Sequence, residues 1–202
     1  MITLYETGDH KAVVFRELTP KGAVQTNQTA IVHRDASLLL DPGGRVVFQR
    51  LLAEVSRVVP APRISYIFFS HQDPDVIGGA ASWYASVPKS RILLPSVWLR
   101  FLPHVFPPDV ERGERVVPIP DEGMVLDLAG CEVQFIPAHF LHSPGNYCVY
   151  DSRSRTLYCG DIFASLPPAE EDRNFVEDFS TFVKYAEPFH RRYMASNKAI
   201  RA

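Results

Sequence analysis

The chain has 202 residues, 46% of them hydrophobic, and a formal net charge of −2 with acids and bases interspersed. That length and composition fit one domain with an ordinary core, and the balanced charge excludes an electrostatic nucleic-acid binder. No apolar run is long enough to span a bilayer and no basic-then-apolar leader opens the sequence, so no membrane partner and a cytoplasmic location are expected. Cys131, Cys148 and Cys159 are odd in number and lack C-x-x-C spacing, which argues for a reducing compartment. All three read as small buried hydrophobes, with Cys148 and Cys159 on strands.

The first ~40 residues read as β structure. Lys11–Phe15, Ala30–Val32 and Ser37–Leu40 are short apolar runs, and Asp41-Pro42-Gly43-Gly44 closes the last with turn chemistry. From Val46 to Val59 the apolar positions recur at helical spacing until Pro60 stops them. Ile64–Phe69 is apolar, β-branched and aromatic, and reads as a buried central strand. A polar loop follows, then a short helix over Ile77–Ser86 whose Gly78-Gly79 lets its start approach the loop closely. Arg91–Leu94 reads as a strand, Val97–Leu102 as either a short helix or a strand, and Pro103–Asp109 as a surface loop. Val116–Ile119, Met124–Asp127 and Cys131–Ile136 read as a meander, and Tyr147–Tyr150 with Thr156–Cys159 as a hairpin. A final helix is expected over roughly Phe175–Ile200, broken or kinked at Pro188. The fold class is α+β, with two sheets covered by helices on the outside.

The chemistry lies in three loops, each just past a strand end, where a sheet scaffold usually carries its function. The first, Ser70-His71-Gln72-Asp73-Pro74-Asp75, sets one imidazole and two carboxylates at alternate positions, a metal-ligand spacing dominated by hard oxygen donors. A plainer reading makes it a polar turn in which Asp75 caps the next helix. The second loop, Pro137–Asn146, carries His139 and His142; the third, after Cys159-Gly160, carries Asp161. A lone His or a lone Asp after Gly is usually structural. Three such loops in one domain point instead to a metal site.

These loops resemble those of the metallo-β-lactamase fold, an αββα four-layer sandwich, and within it the diiron branch of flavodiiron catalytic domains and oxygen-binding diiron proteins. The branch replaces the second His of H-x-H-x-D-H by a carboxylate. Its second loop, H-F-L-H-S-x-G-N, matches His139–Asn146, and its third, G-D-I-x-A-S, matches Gly160–Ser165. Phe189–Met194 resembles the helix of the oxygen-binding branch. The resemblance covers essentially the whole chain as a single domain, residues 1–202, with no flavodoxin domain and no flavin expected.

The resemblance implies two iron ions, with zinc or manganese as alternatives. His71, Asp73 and His142 would hold one metal, Asp75 the other, and Asp161 would bridge them; His139 and Asn27 are candidate partners behind the ligands. Three positions depart from the pattern. Asp73 is one methylene shorter than the usual Glu, and Val76 stands where zinc hydrolases carry a His. The family's last His lies in a P-x-H-G-like stretch past the final helix, and the sequence ends at Ala202 before one, so a C-terminally incomplete domain or a two-ligand second metal is expected. The implied function is binding or reduction of O2 or NO with electrons from an external donor, or oxygen sensing with a signalling partner. Alternatives are a metal-dependent hydrolase or a module with a degenerate site. A homodimer is expected by analogy alone.

Overall fold

Strand alternation builds two cores on either side of one sheet. The computed structural model describes residues 1–107 and 114–201. A seven-stranded sheet runs β1 (Ile2–Thr7), β2 (His10–Phe15), β3 (Gln28–His33), β4 (Ala36–Leu40), β5 (Tyr66–Phe68), β6 (Arg91–Pro95) and β7 (Val116–Ile119), in that spatial order. Its first four strands pair antiparallel and its last four parallel. Parallel neighbours need long crossovers. These are α1 (Phe48–Val55), then α2 (Pro74–Ile77) with α3 (Ala80–Ser86), then a 3-10 helix over Ser96–His104. A second, antiparallel sheet has β8 (Met124–Leu128), β9 (Cys131–Pro137), β10 (Tyr147–Asp151) and β11 (Thr156–Tyr158) in the order β11-β10-β9-β8.

Along the central strands successive side chains leave opposite faces. Leu39, Ile67 and Ile92 join an outer core with Leu51, Val55 and Trp83 beneath the helices. Leu38, Phe68 and Leu93 join an inner core with Val133, Phe135 and Val149 of the second sheet. Phe68 meets Phe135 edge to face across the two sheets, ring centroids 4.8 Å apart. The near-continuous apolar run at β5 is therefore the mark of a strand buried on both faces.

The structure departs from the sequence expectations at several elements. β7 belongs to the first sheet, parallel to β6, and is no part of a meander with β8 and β9. β1 is an additional, partly exposed edge strand. The expected first helix shortens to Phe48–Val55, and the one over Ile77–Ser86 is two pieces. Gly78 and Gly79 separate them, because Gly79 packs against the backbone of Gly43: an added Cβ would sit 2.6 Å from the Gly43 carbonyl oxygen. Val97–Leu102 is 3-10 helix, which extends through Pro103 and His104 of the expected loop; Pro108 and Asp109 lie outside the described residues. The final helix, α4, spans Phe179–Tyr193 and runs through Pro188. The Asp178 carboxylate accepts a hydrogen bond from Ser180 N at 2.9 Å and sets its start. Phe179 and Val183 remain largely exposed, and Cys159 lies just past β11, half-buried.

Candidate metal centre

The loops after β4, β5, β9 and β11 meet at one end of the sandwich. Tyr147 N donates to Ser70 O at 3.2 Å, tying the second sheet to the end of β5. Pro74 occupies the first helical position of α2, where its missing N–H costs nothing. That makes Asp73 the residue before the helix, with extended backbone and a side chain that caps nothing. Asp75 sits inside the first turn, so the reading of Asp75 as N-cap is not what the loop does. The second loop is closed by Ala138 N to Asn146 O and Phe140 N to Ser143 O, both 2.9 Å. In the third, Gly160 turns the chain with φ 57°, and an added Cβ would lie 2.9 Å from Ser70 Oγ.

These turns bring together one donor atom each from His71, Asp73, His142 and Asp161, all within 4.8 Å of one another. His142 Nε2 lies 3.1 Å from Asp73 Oδ2 and 3.7 Å from Asp161 Oδ2. His71 Nε2 lies 3.7 Å from Asp73 Oδ2 and 3.6 Å from Asp161 Oδ2. The His71 separations are too long for hydrogen bonds, and His71 Nε2 is buried with no hydrogen-bond partner among the described residues. Two donors about 2.0–2.2 Å from a shared metal are themselves separated by roughly 3–3.5 Å. An unpartnered buried nitrogen inside such a set fits a metal ion better than a satisfied core histidine.

What stands behind His71 sets its chemistry. Ser70 N and Ser70 Oγ donate to the two oxygens of Asp41, each at 2.7 Å. The Ser70 proton is thereby spent, so its oxygen, 2.8 Å from His71 Nδ1, accepts from that nitrogen. Nδ1 then carries the hydrogen and Nε2 presents its lone pair to the centre. On the other side, His142 is stacked by Phe189 and Tyr193 of α4, with centroids at 5.5 and 5.3 Å.

The electrostatics are those of a site short of positive charge. Burial pushes the Asp75 carboxyl above the usual carboxylate range, and the charges of Asp161 and Asp73 push it the same way. Burial also raises Asp41. The hydrogen bond from His142 holds Asp73 below its ordinary value. Burial pushes His71 down, but Asp161, Asp41 and Asp73 outweigh it and raise the imidazole.

Asp75 lies apart from the four-residue group, facing a cavity of about 720 Å3 that Asn27, Asp41, Asp161, Phe163 and Phe189 also line. Asn27 makes no hydrogen bond to the donors among the described residues. His139 turns away: its Nε2 is 3.1 Å from the Asp121 carbonyl oxygen, and its ring meets Tyr147 edge to face. His190 is engaged elsewhere, with Nδ1 donating to Ala186 O and Nε2 accepting from Phe163 N at 2.6 Å. Sequence reasoning missed Asp41 and Ser70; the one signal, an Asp just past an apolar strand, was absorbed by the turn chemistry of Asp41-Pro42-Gly43-Gly44.

Comparison with known proteins agrees with this fold. Residues 24–202 match the family model described as ODP family beta lactamase, and the chain belongs to that family. A solved structure described as a peroxy diiron species of chemotaxis sensor ODP is 45% identical, with a TM-score of 0.84 over 99% of this chain and 79% of that one. The apo state of chemotaxis sensor ODP from T. denticola is 43% identical, with a TM-score of 0.84 over 98% of this chain and 78% of that one. A flavoprotein from Thermotoga maritima shares the fold at 17% identity, with a TM-score of 0.75 over 98% of this chain and 50% of that one. Diflavin flavoprotein A 1 of Synechocystis sp. is 26% identical over 139 residues, which are 68% of this chain and 23% of that protein. The chain thus spans less than a third of the curated relatives it matches.

Proposed function

We propose that the chain is a non-haem diiron protein that binds O2, or NO, as an oxygen sensor. In this reading His71, Asp73 and His142 would hold one iron and Asp75 the second, with Asp161 shared between them. The observation that carries this reading is the donor set itself: buried, unpartnered His71 Nε2 converging with His142 and two carboxylates. Replacement of imidazole by carboxylate moves a site from the N/S preference of zinc toward iron or manganese. A pair of ferrous ions with open positions supplies the electrons that an O2 or NO ligand takes up.

The chain's own residues prepare that site. The Asp41–Ser70 pair holds the His71 tautomer, and Phe189 and Tyr193 fix the His142 ring. Apolar walls such as Phe163 and Val14 let a small neutral ligand enter the cavity beside Asp75 and Asp161. Val76, apolar and buried in the outer core, offers no donor where hydrolases of this fold carry His, which disfavours a hydrolytic centre. The likeness to a chemotaxis sensor supports a sensory role with a separate signalling partner. Among the described residues no helix is long and apolar enough to cross a membrane, and the same proposal assigns the protein to the cytoplasm.

Metal counting after growth with iron, and again after competition with zinc, tests the reading. Iron in a ratio of two per chain, retained against zinc, supports it; zinc uptake with ester or phosphoester turnover would overturn it.

A further inference from the structure

Cys148 and Cys159 play no part in the proposed centre, yet they meet beneath it. The β10–β11 register pairs Asp151 with Thr156, Tyr150 with Leu157 and Val149 with Tyr158. Continued by one residue past the end of β11, that register sets Cys148 opposite Cys159. Opposed residues of an antiparallel pair have Cα atoms about 4.5 or 5.5 Å apart, inside the about 4.4–6.8 Å that a disulfide spans. The side chains also share a face. Alternation sends Tyr147 and Val149 into the inner core and turns Cys148 outward, where it clusters with Cys159, Ala138, Ile162 and Leu141. Both thiols are free, Cys148 buried and Cys159 partly buried within that one cluster.

The third cysteine provides the contrast. Cys131 is in the inner core between the sheets, 3.6 Å from Asp151 Oδ1, away from the other two. Access divides the facing pair: Cys148 is 8% exposed, whereas Cys159 is half-buried and open to small reagents. Their positions in the chain give a bond between them a mechanical meaning. β10 leaves the loop of His142, and Cys159 precedes Gly160 and Asp161.

We propose that Cys148 and Cys159 are a redox-active dithiol that closes reversibly to a disulfide under hydrogen peroxide, stapling the base of the His142 loop to the base of the Asp161 loop. A small neutral oxidant suits a pair of which one member is nearly enclosed. The Cys159 sulfur attacks one peroxide oxygen, the O–O bond breaks, and water leaves with the thiol proton, giving a sulfenic acid. The Cys148 sulfur then attacks the Cys159 sulfur, the S–O bond breaks, and a second water carries off the Cys148 proton. The two thiols together lose two electrons and two protons, and one hydrogen peroxide becomes two waters. The inference does not depend on which metal the centre holds.

The experiment treats the reduced 202-residue chain with hydrogen peroxide in the presence of a chelator, quenches it, denatures it and counts thiols, with peptide mapping by mass spectrometry. The expected result is a fall from three free thiols to one, a linked Cys148–Cys159 peptide, and recovery of all three with dithiothreitol. C131S should give the same linked peptide, and C159S should give none. Retention of all three thiols overturns the proposal, as does a bond involving Cys131. Oxidation of Cys159 to sulfinic acid with Cys148 left free overturns it too. Because the linked peptide is read in the unsubstituted chain, a C148S variant that fails to fold does not affect the outcome.

Discussion

Asp41 grips Ser70 at two points, backbone N–H and hydroxyl, each at 2.7 Å, across 29 positions of sequence. Through the Ser70 oxygen this grip reaches His71 Nδ1 and leaves Nε2 free to bind. Loss of such a supporting contact typically weakens metal affinity about 10–100-fold. D41A should therefore lower iron affinity by that order in a competition with a chromogenic chelator. Unchanged affinity would show that His71 needs no orienting partner.

Asp75 sets stability against binding. Burial and the charges of Asp161 and Asp73 disfavour its ionised form, so its carboxylate costs the metal-free protein stability at neutral pH. D75N should leave the metal-free chain as stable as the parent or more so. The same substitution should abolish much of the stabilisation that metal gives, which for a parent at 100-fold excess over Kd is about 2.7 kcal/mol. Thermal melts with and without ferrous ion read both effects. A D75N chain that loses stability without metal and keeps the metal-dependent rise would refute this.

The two histidines of the second loop should separate cleanly. His142 Nε2 joins the converging donors, whereas His139 Nε2 is occupied by the Asp121 carbonyl oxygen. H142A should lose iron from the proposed centre. H139A should retain it, with a stability loss of about 1 kcal/mol for one hydrogen bond. Metal analysis of both purified variants checks this, and equal loss from the two would contradict it.

Away from the centre, fully buried His10 and Asp151 pair at 2.7 Å. Burial pushes the Asp151 carboxyl up, but hydrogen bonds from Ser154 and His10 and the charge of His10 outweigh it and hold it below the usual range. A carboxyl with a lowered folded pKa contributes stability fully above its unfolded value, about 3.9. That contribution fades as pH falls through the lower folded value. D151N should reduce stability at pH 7 and flatten the acid limb of a urea-denaturation series below about pH 4. An acid limb identical to the parent's would mean that the pair does not titrate with unfolding.

Much of this architecture is legible in the sequence, because its signals are local. The run ending in Phe68 and Phe69 announces a strand buried on both faces, and strand ends followed by His71, His142 and Asp161 mark residues that the fold brings together. Partnership over long range is not legible. Val116–Ile119 has a strand's composition, but nothing in it says that it pairs parallel with β6 and not with β8. Asp41 reads as turn chemistry because its hydrogen bonds go to residues far along the chain. The bounds of α4 are obscured by Phe175, Phe179 and Val183, apolar side chains at helical spacing that are left largely exposed. His139 carries the same local signal as His142, but in the folded loop, which turns at Phe140 with φ 65°, the two rings have different partners.

The measurement that bears most directly on the account is the visible absorption spectrum of the iron-loaded, anaerobically reduced chain before and after addition of O2. The account predicts a new band, absent from the H142A chain, that saturates at one O2 for each pair of irons. A spectrum unchanged by O2 and by NO, in protein shown to hold two irons per chain, would contradict it.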